Sequence, residues 1–284
     1  MGSNCFFVSD IHGNHDRYNA LFAAIERESP QAVFLGGDLL PHHWKDRLAG
    51  GDFIDEVLVP GFGSLREKLA AAAPRVFVIL GNDDDRVSEN LFIEGEEAGL
   101  WSYAHQRWGS FDSHPVIGYA YVPPTPFLLK DWERYDVSRF TDAGCVSPER
   151  GQRTVAVDPD DVRFGTIAAD LVRLTEGRDL ETTVCLFHAP PYRTDLDRAA
   201  LDGRTVDHAP LDVHVGSIAI RRFIEDRQPL LTLHGHIHES PRLTGRWRQK
   251  IGHTHAFTAA HDGPELALVR FDLDDLDNAT RELL

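Results

Sequence analysis

Five short apolar runs, Cys5 to Val8, Ala32 to Leu35, Val76 to Leu80, Thr183 to Phe187 and Leu230 to Leu233, are each followed at once or within a few residues by polar side chains of the metal-ligand type. None of the runs alternates strictly between apolar and polar, so each reads as a strand covered on both faces, as in an α/β protein. The polar followers are Asp10-Ile11-His12, Gly36-Gly37-Asp38, Gly81-Asn82-Asp83-Asp84, His188, and His234-Gly235-His236-Ile237-His238. In an open α/β sheet the carboxyl ends of the strands form one edge, and ligands bind along it. Clusters far apart in sequence are thereby expected to converge in space.

Between the first two runs, Asn14 to Glu28 carries Tyr18, Leu21, Phe22 and Ile25 at helical spacing and completes a β–α–β unit. Helical segments are also expected over Phe53 to Ala72, Asp160 to Thr175 and Ser217 to Asp226. After Leu233 the pattern changes to short strands with turns, at Arg242 to Trp247, Gln249 to Phe257 and Glu265 to Asp272, which reads as a mixed or antiparallel extension of the sheet. Residues 101–157 are rich in Pro and aromatics (Pro123, Pro124, Pro126, Phe127, Trp132, Tyr135), with one strand candidate at Val116 to Val122. That stretch reads as an insertion or partial lid within a single domain spanning residues 1–284.

A chain of 284 residues, 42% hydrophobic and 26% charged, has the balance of a folded protein with a sizeable core. Its formal net charge of -16, with no basic stripe, repels a phosphate backbone. Long nucleic acid is therefore excluded as a partner. A small phosphorylated substrate held by metal ions is not, because bound cations dominate the local field. No run reaches the length that spans a bilayer, and no export signal precedes Cys5, so no membrane partner is expected. Cys5 and Cys185 lie inside apolar runs, which places buried thiols in a reducing compartment, the cytoplasm. The oligomeric state is not written in these patterns.

Asp, His and Asn offer oxygen and nitrogen ligands without thiolate, a set that suits Mn, Fe, Zn or Ni better than Ca or Mg. Asp38, alone after its strand and preceded by two glycines, is suited to bridge two ions. Taken singly, each cluster has a plainer reading: Asp10 as a helix cap, Asp38 and Asn82 as turn residues, His188 as a core histidine. The recurrence after every run favours the metal reading. Two further residues stand beside the motif loops. His214 lies just before a helix whose free backbone donors can bind an anion, and Arg193, close after His188, can pair two phosphate oxygens. His42, His43, His253, His255 and His261 read as structural or solvated, and Trp132 and Tyr135 as packing.

In this order the clusters resemble the calcineurin-like metallophosphoesterase superfamily, whose pattern is Asp-x-His, Gly-Asp, Gly-Asn-His-Asp/Glu, a lone His, and Gly-His-x-His. The similarity runs from Cys5 to about Glu239. Pro190-Pro191-Tyr192 and Gly235-His236-Ile237-His238-Glu239-Ser240 are similar to stretches of its small bacterial and archaeal members. The resemblance implies a four-layered αββα sandwich, two mixed β-sheets flanked by helices. It implies a hydrolase of small phosphomonoesters or phosphodiesters that uses two divalent transition-metal ions, Mn favoured. Asp10, His12, Asp38 and His238 would hold one ion, Asp38, Asn82, His188 and His236 the other, with Asp38 bridging and a hydroxide between the ions attacking phosphorus in line.

One departure matters. Asp83 stands where the family has the His that serves the leaving group, and Asp84 where it has that His's acidic partner. A carboxylate between two cations and a developing anion has no proton to give. Asp83, Asp84 and His214 are thus the candidates for acid–base chemistry, and Asp83 is also the feature that favours an alternative, a metal-binding scaffold of the same fold with little or no catalysis.

Overall fold

Fourteen strands form among residues 4–42 and 52–284, the residues that the computed structural model describes. They are Asn4–Val8 (β1), Ala32–Gly36 (β2), Arg75–Ile79 (β3), Ser102–Tyr103 (β4), Trp108–Phe111 (β5), His114–Tyr119 (β6), Val184–Phe187 (β7), Thr205–Val206 (β8), Ala209–Pro210 (β9), Leu231–His234 (β10), Arg248–Ile251 (β11), Thr254–Thr258 (β12), Ala267–Asp272 (β13) and Asp275–Leu283 (β14). One six-stranded sheet runs β14-β13-β1-β2-β3-β4 and a second runs β11-β12-β10-β7-β6-β5, while β8 and β9 pair separately. The strands from β1 to β4 are parallel to one another, as are β6, β7, β10 and β12, with antiparallel strands at the edges.

The period of two along each strand divides the core into layers. Phe7, Phe34 and Ile79 from the first sheet pack with Leu186, Leu231, Leu233 and Phe257 from the second. Their neighbours Phe6, Val8, Val33 and Val78 turn the other way, toward Tyr18, Leu21 and Ile25 of the helix His15–Glu28, and Cys185 and Phe187 turn toward Ile220 and Phe223 of the helix Ile218–Arg227. The result is helix, sheet, sheet, helix. Asn14 starts the first of these helices by accepting from the backbone N–H groups of Asp16 and Arg17.

The structure corrects the sequence reading in several places. The five buried runs do not share one sheet edge: β1, β2 and β3 belong to one sheet, β7 and β10 to the other, and the two stacked edges make the site together. The segment read as a strand over Arg242 to Trp247 contains the helix Ser240–Thr244. Pro241 in its first turn and Gly245 in a left-handed conformation just past its end explain why. The expected helix over Asp160 to Thr175 is two, Pro159–Phe164 and Ile167–Leu174, broken at Gly165 and restarted by the Thr166 cap. Gln249 to Phe257 is a hairpin turning at Gly252, whose φ is 63°. The long strand β14 escaped notice because only Leu276 and Ala279 are buried along a charged sequence.

The stretch 101–157 also divides. Its first part is built into both sheets as β4, β5 and β6, so it is not an insertion there. Beyond Tyr119 the described chain up to residue 158 is irregular, with isolated bridges Val122↔Glu133 and Leu129↔Gln152. Trp132 and Tyr135 are buried, as packing residues are.

Candidate metal centre

Where β1, β2 and β10 end, the backbone turns through conformations that side chains usually avoid. Asp10, His12, Asp38 and His236 have φ of 56°, 51°, 53° and 73°. Left-handed backbone at a residue with a Cβ costs about 1–2 kcal/mol, and strain gathered in one place is a mark of a functional site. The loops hold one another in this shape: Asp10 N–H donates to Gly37 O at 3.0 Å and His12 N–H to Asp38 O at 2.8 Å. Gly81 is required for close approach, since a Cβ there would lie 2.3 Å from Asp38 Oδ1 and 2.6 Å from His188 Nε2.

Three groups of ligand-type atoms result among the described residues, one of them His12, His42 and Asp83, and the other two share Asp38. Asp10, His12, Asp38 and His238 offer atoms that all lie within 4.8 Å of one another, and so do Asp38, His188 and His236. In the first, His12 Nε2 and His238 Nε2 face each other at 3.1 Å, and His238 Nε2 is 3.3 Å from Asp10 Oδ1. In the second, His188 Nε2 lies 3.2 Å from Asp38 Oδ2 and 3.2 Å from Asn82 Oδ1, which brings the amide into the same group. His188 Nδ1 is anchored on Gly36 O at 2.7 Å, an outer contact that fixes the ring and turns Nε2 inward. Asp10 Oδ2 is buried without a hydrogen-bond partner, as is His12 Nδ1. A buried carboxylate oxygen without a partner costs about 1–3 kcal/mol, and a divalent cation among these atoms would remove that cost. The donors fit two such ions.

The electrostatics point the same way. Burial pushes the Asp10 carboxyl up, but the hydrogen bond and charge of His238 overcome it and hold it at about 2. Asp38 is likewise driven far below the carboxylate range, against its burial, by the charge and hydrogen bond of His188. The partners move oppositely: burial lowers His188 and His238, yet Asp38 raises the first to about 10 and Asp10 the second to about 9. Burial, with the His188 charge adding, takes His236 down to about 3. Without cations, protons on His188 and His238 neutralise Asp38 and Asp10. These are the protons that metal ions displace.

The carboxylates after Asn82 differ from the acid–base pair that the sequence suggests. Asp84 is fully buried, and its two oxygens accept from the N–H groups of Leu39, Leu40 and Gly81 at 2.8–2.9 Å. It fastens the loops of Asp38 and Asn82 together and has no open oxygen for a substrate. Burial, then the neighbouring Asp38 charge, push its carboxyl up to about 8. Asp83 donates its N–H to Asp38 Oδ1 at 2.8 Å. Its side chain is half-buried, 3.1 Å from His42 Nδ1 and 3.7 Å from His12 Nδ1, and the His42 ring stacks on His12 at 4.6 Å. His42, read from sequence as structural or solvated, is thus part of the site's wall. Its signal was its place four residues after Asp38. His43 lies outside the described residues.

The outlying candidates take clear places. The helix after His214 is not open to an anion: the Asp136 carboxylate accepts from Ile218 N–H at 2.7 Å and Ala219 N–H at 3.2 Å, and Ser217 caps Ile220. His214 itself is bound through Nδ1 to Asp197 Oδ1 at 2.8 Å. Arg193 is exposed, with its guanidinium 5.2 Å from the Tyr192 ring centre. His261 is paired with Glu265 at 3.0 Å.

A two-sheet sandwich with this ligand set at its strand ends defines a metallophosphoesterase-type protein. Residues 4–240 match the calcineurin-like phosphoesterase family, and the chain belongs to that family. A stretch of 79 residues is 39% identical to an uncharacterized protein of Methanocaldococcus jannaschii, covering 27% of this chain and 30% of that protein's length. Among solved structures the chain is similar to the protein TT1561 of Thermus thermophilus (TM-score 0.56, 14% identity, 100% and 99% of the two chains). It is also similar to the phosphopantetheinyl hydrolase of Mycobacterium tuberculosis (0.55, 13%, 93% and 92%). A dimetal phosphatase from Danio rerio gives 0.53 at 13% identity, over 96% of each chain. At these identities the likeness is one of fold. The family implies a dinuclear divalent metal site. No helix among the described residues is long and apolar enough to cross a membrane.

Proposed function

We propose that this protein is a dinuclear metal-dependent hydrolase of phosphoester bonds in a small molecule. Asp10, His12, Asp38 and His238 would hold one divalent ion and Asp38, Asn82, His188 and His236 the other, a thiolate-free set of carboxylate, amide and imidazole that suits Mn, Fe, Zn or Ni, with manganese the favoured ion. The observation that carries the reading is the pair of overlapping ligand groups around one shared carboxylate, Asp38, with the buried Asp10 Oδ2 still unpartnered. When bound, two such ions supply a nucleophile from water near neutral pH and neutralise charge on phosphoryl oxygens. Asn82 is held by His188, and Asp84 ties the backbone just after Asp38 to that of Gly81, so both groups are set before substrate arrives.

Asp83 has a positioning role in this reading. Paired with His42 and directed at the otherwise unpartnered Nδ1 of His12, it orients that ligand's ring. Arg193, exposed beside the His188 loop, is the candidate for contact with a phosphate oxygen. The three free cysteines support a reducing compartment, the cytoplasm, and the acidic surface supports a small substrate rather than nucleic acid.

The test is turnover of p-nitrophenyl phosphate and bis(p-nitrophenyl) phosphate by Mn-reconstituted protein. Hydrolysis of either, abolished by chelation and restored by Mn, is expected. Two bound ions with no turnover of either ester would leave the scaffold reading, which the replacement of the family His by Asp83 favours.

A further inference from the structure

With Asp83 paired to His42 Nδ1 at 3.1 Å, another group is needed to supply the proton for a leaving oxygen. Asp197 is completely buried, and four donors converge on its carboxylate: Arg193 N–H at 2.9 Å, Thr194 N–H at 2.9 Å, Gly216 N–H at 3.1 Å and His214 Nδ1 at 2.8 Å. Three backbone donors hold the carboxylate in place, and that carboxylate fixes the tautomer of His214 by accepting from Nδ1–H. Nε2 is left on the outward side of a ring whose side chain is 29% exposed. A carboxylate that orients an imidazole so that its far nitrogen can move a proton is a recurring catalytic arrangement. Asp212 accepts from His214 N–H at 2.9 Å and from Tyr192 Oη at 2.5 Å, and the Tyr192 ring stands edge-on to His214 at 6.3 Å.

The pair is tied to the metal-ligand loops on both sides. The strand-end segment that carries His188 continues through Pro190 and Pro191, which pair with Ser217, into Arg193 and Asp197. The loop that carries His236 and His238 ends at Glu239 and Ser240, which accept from Ala200 N–H at 3.0 Å and Arg198 N–H at 3.1 Å. Arg198 in turn bridges His214. We propose that Asp197 and His214 form the proton-donating pair of the site, with Asp197 positioning His214 and His214 Nε2–H serving the leaving oxygen. The proposal rests on the hydrolase reading above. In the step, water oxygen forms the new bond to phosphorus and gives up its proton to solvent, the bond from phosphorus to the leaving oxygen breaks, and that oxygen takes the Nε2 proton of doubly protonated His214, leaving the Nδ1–H tautomer that Asp197 holds. Solvent then restores the proton. Asp197, Asp212 and Tyr192 are the titratable groups in contact with His214.

The experiment compares a p-nitrophenyl ester, whose leaving group needs no proton, with an alkyl phosphate ester, whose leaving group does. Both are assayed on Mn-loaded wild type, His214→Asn, Asp197→Asn, His42→Asn and His214→Gly, with bound metal measured on each. His214→Asn is expected to leave metal content and nitrophenyl turnover within about threefold while lowering kcat for the alkyl ester about a hundredfold or more, the usual worth of a general acid. Added imidazole should restore alkyl turnover to His214→Gly. If Asp197→Asn fails to fold, the two His214 variants still decide. An equal loss on both esters, no loss on either, or a selective loss in His42→Asn instead would overturn the assignment. Wild type that turns over neither ester would overturn it together with the hydrolase reading.

Discussion

Two buried clusters of charge among the described residues are assembled on opposite principles. Lys130, Glu133 and Arg134 of the irregular region after β6 and Asp170 of the helix Ile167–Leu174 are all buried, and each charge has its counter-charge. Lys130 pairs with Glu133, whose oxygens also accept from Thr125 N–H at 2.7 Å and Thr125 Oγ1 at 2.5 Å. Arg134 pairs with Asp170 at 2.7 Å and with Asp161, and Asp170 also accepts from Tyr119 Oη at 2.7 Å. None of the described residues 121–170 other than glycine has a positive φ. At the strand ends, by contrast, four such residues gather, imidazole nitrogens face one another, and a buried carboxylate oxygen has no partner. Burial alone does not mark a site. Strain and unmet valence at the same place do, because each carries a cost that a bound ligand can offset.

Breaking each cluster should therefore give different failures. Asp38→Asn replaces the carboxylate shared by both ligand groups and is expected to lower turnover about a thousandfold or more, the scale of losing a central electrostatic group. Melting of the metal-free protein should change far less than turnover, and steady-state rates beside thermal melts check both. In the other cluster, Lys130→Met strands Glu133 in the core and should cost about 3 kcal/mol of stability, with metal content unaltered. Burial already pushes the Glu133 carboxyl up to about 7 against the pull of Lys130. Adding Glu133→Gln keeps an acceptor for Thr125 and should recover most of the loss, read from denaturant midpoints.

The smallest expected effect concerns protons. Metal-free protein holds protons on His188 and His238 up to pH of about 10 and about 9, well above the usual imidazole range. Each ion would displace one, so apparent affinity should rise about tenfold per pH unit from pH 7 and level off above about 9 for the ion at His238 and above about 10 for the ion at His188. Calorimetry in buffers of different ionisation enthalpy should show about one proton released per ion at pH 7.5. The same raised values stabilise the metal-free fold below the usual imidazole range, and that stabilisation is lost as pH rises through about 9 and then about 10. A flat affinity profile would mean that these imidazoles are not ligands.

The contrast also shows what could be read from the sequence. The ligand-type residues were legible because each follows a continuous apolar run, and a strand end fixes where the next side chain goes. That His188 and His236 come from a different sheet than Asp10 and Asp38 was not legible, since a buried strand carries no label of its sheet. Asp84 reads as an acid–base candidate because it stands where the resembled family has the acidic partner of its His, and only the loop of Leu39 and Leu40 folded over it reveals a backbone tether. Asp136 and Asp197 act on groups remote in sequence, on the Ile218–Arg227 helix and on His214, where no spacing rule reaches. Lys130 and Glu133, one helical turn apart in number, sit in irregular chain, so their pairing carried no periodic signal.

The central claim is that the strand-end cluster is built for two cations sharing Asp38. Elemental analysis of Mn-reconstituted protein, after removal of free metal, tests it most directly. About two ions per chain are expected in the wild type, and a marked fall is expected in Asp38→Asn. Less than one ion per chain in the folded wild type would contradict the account.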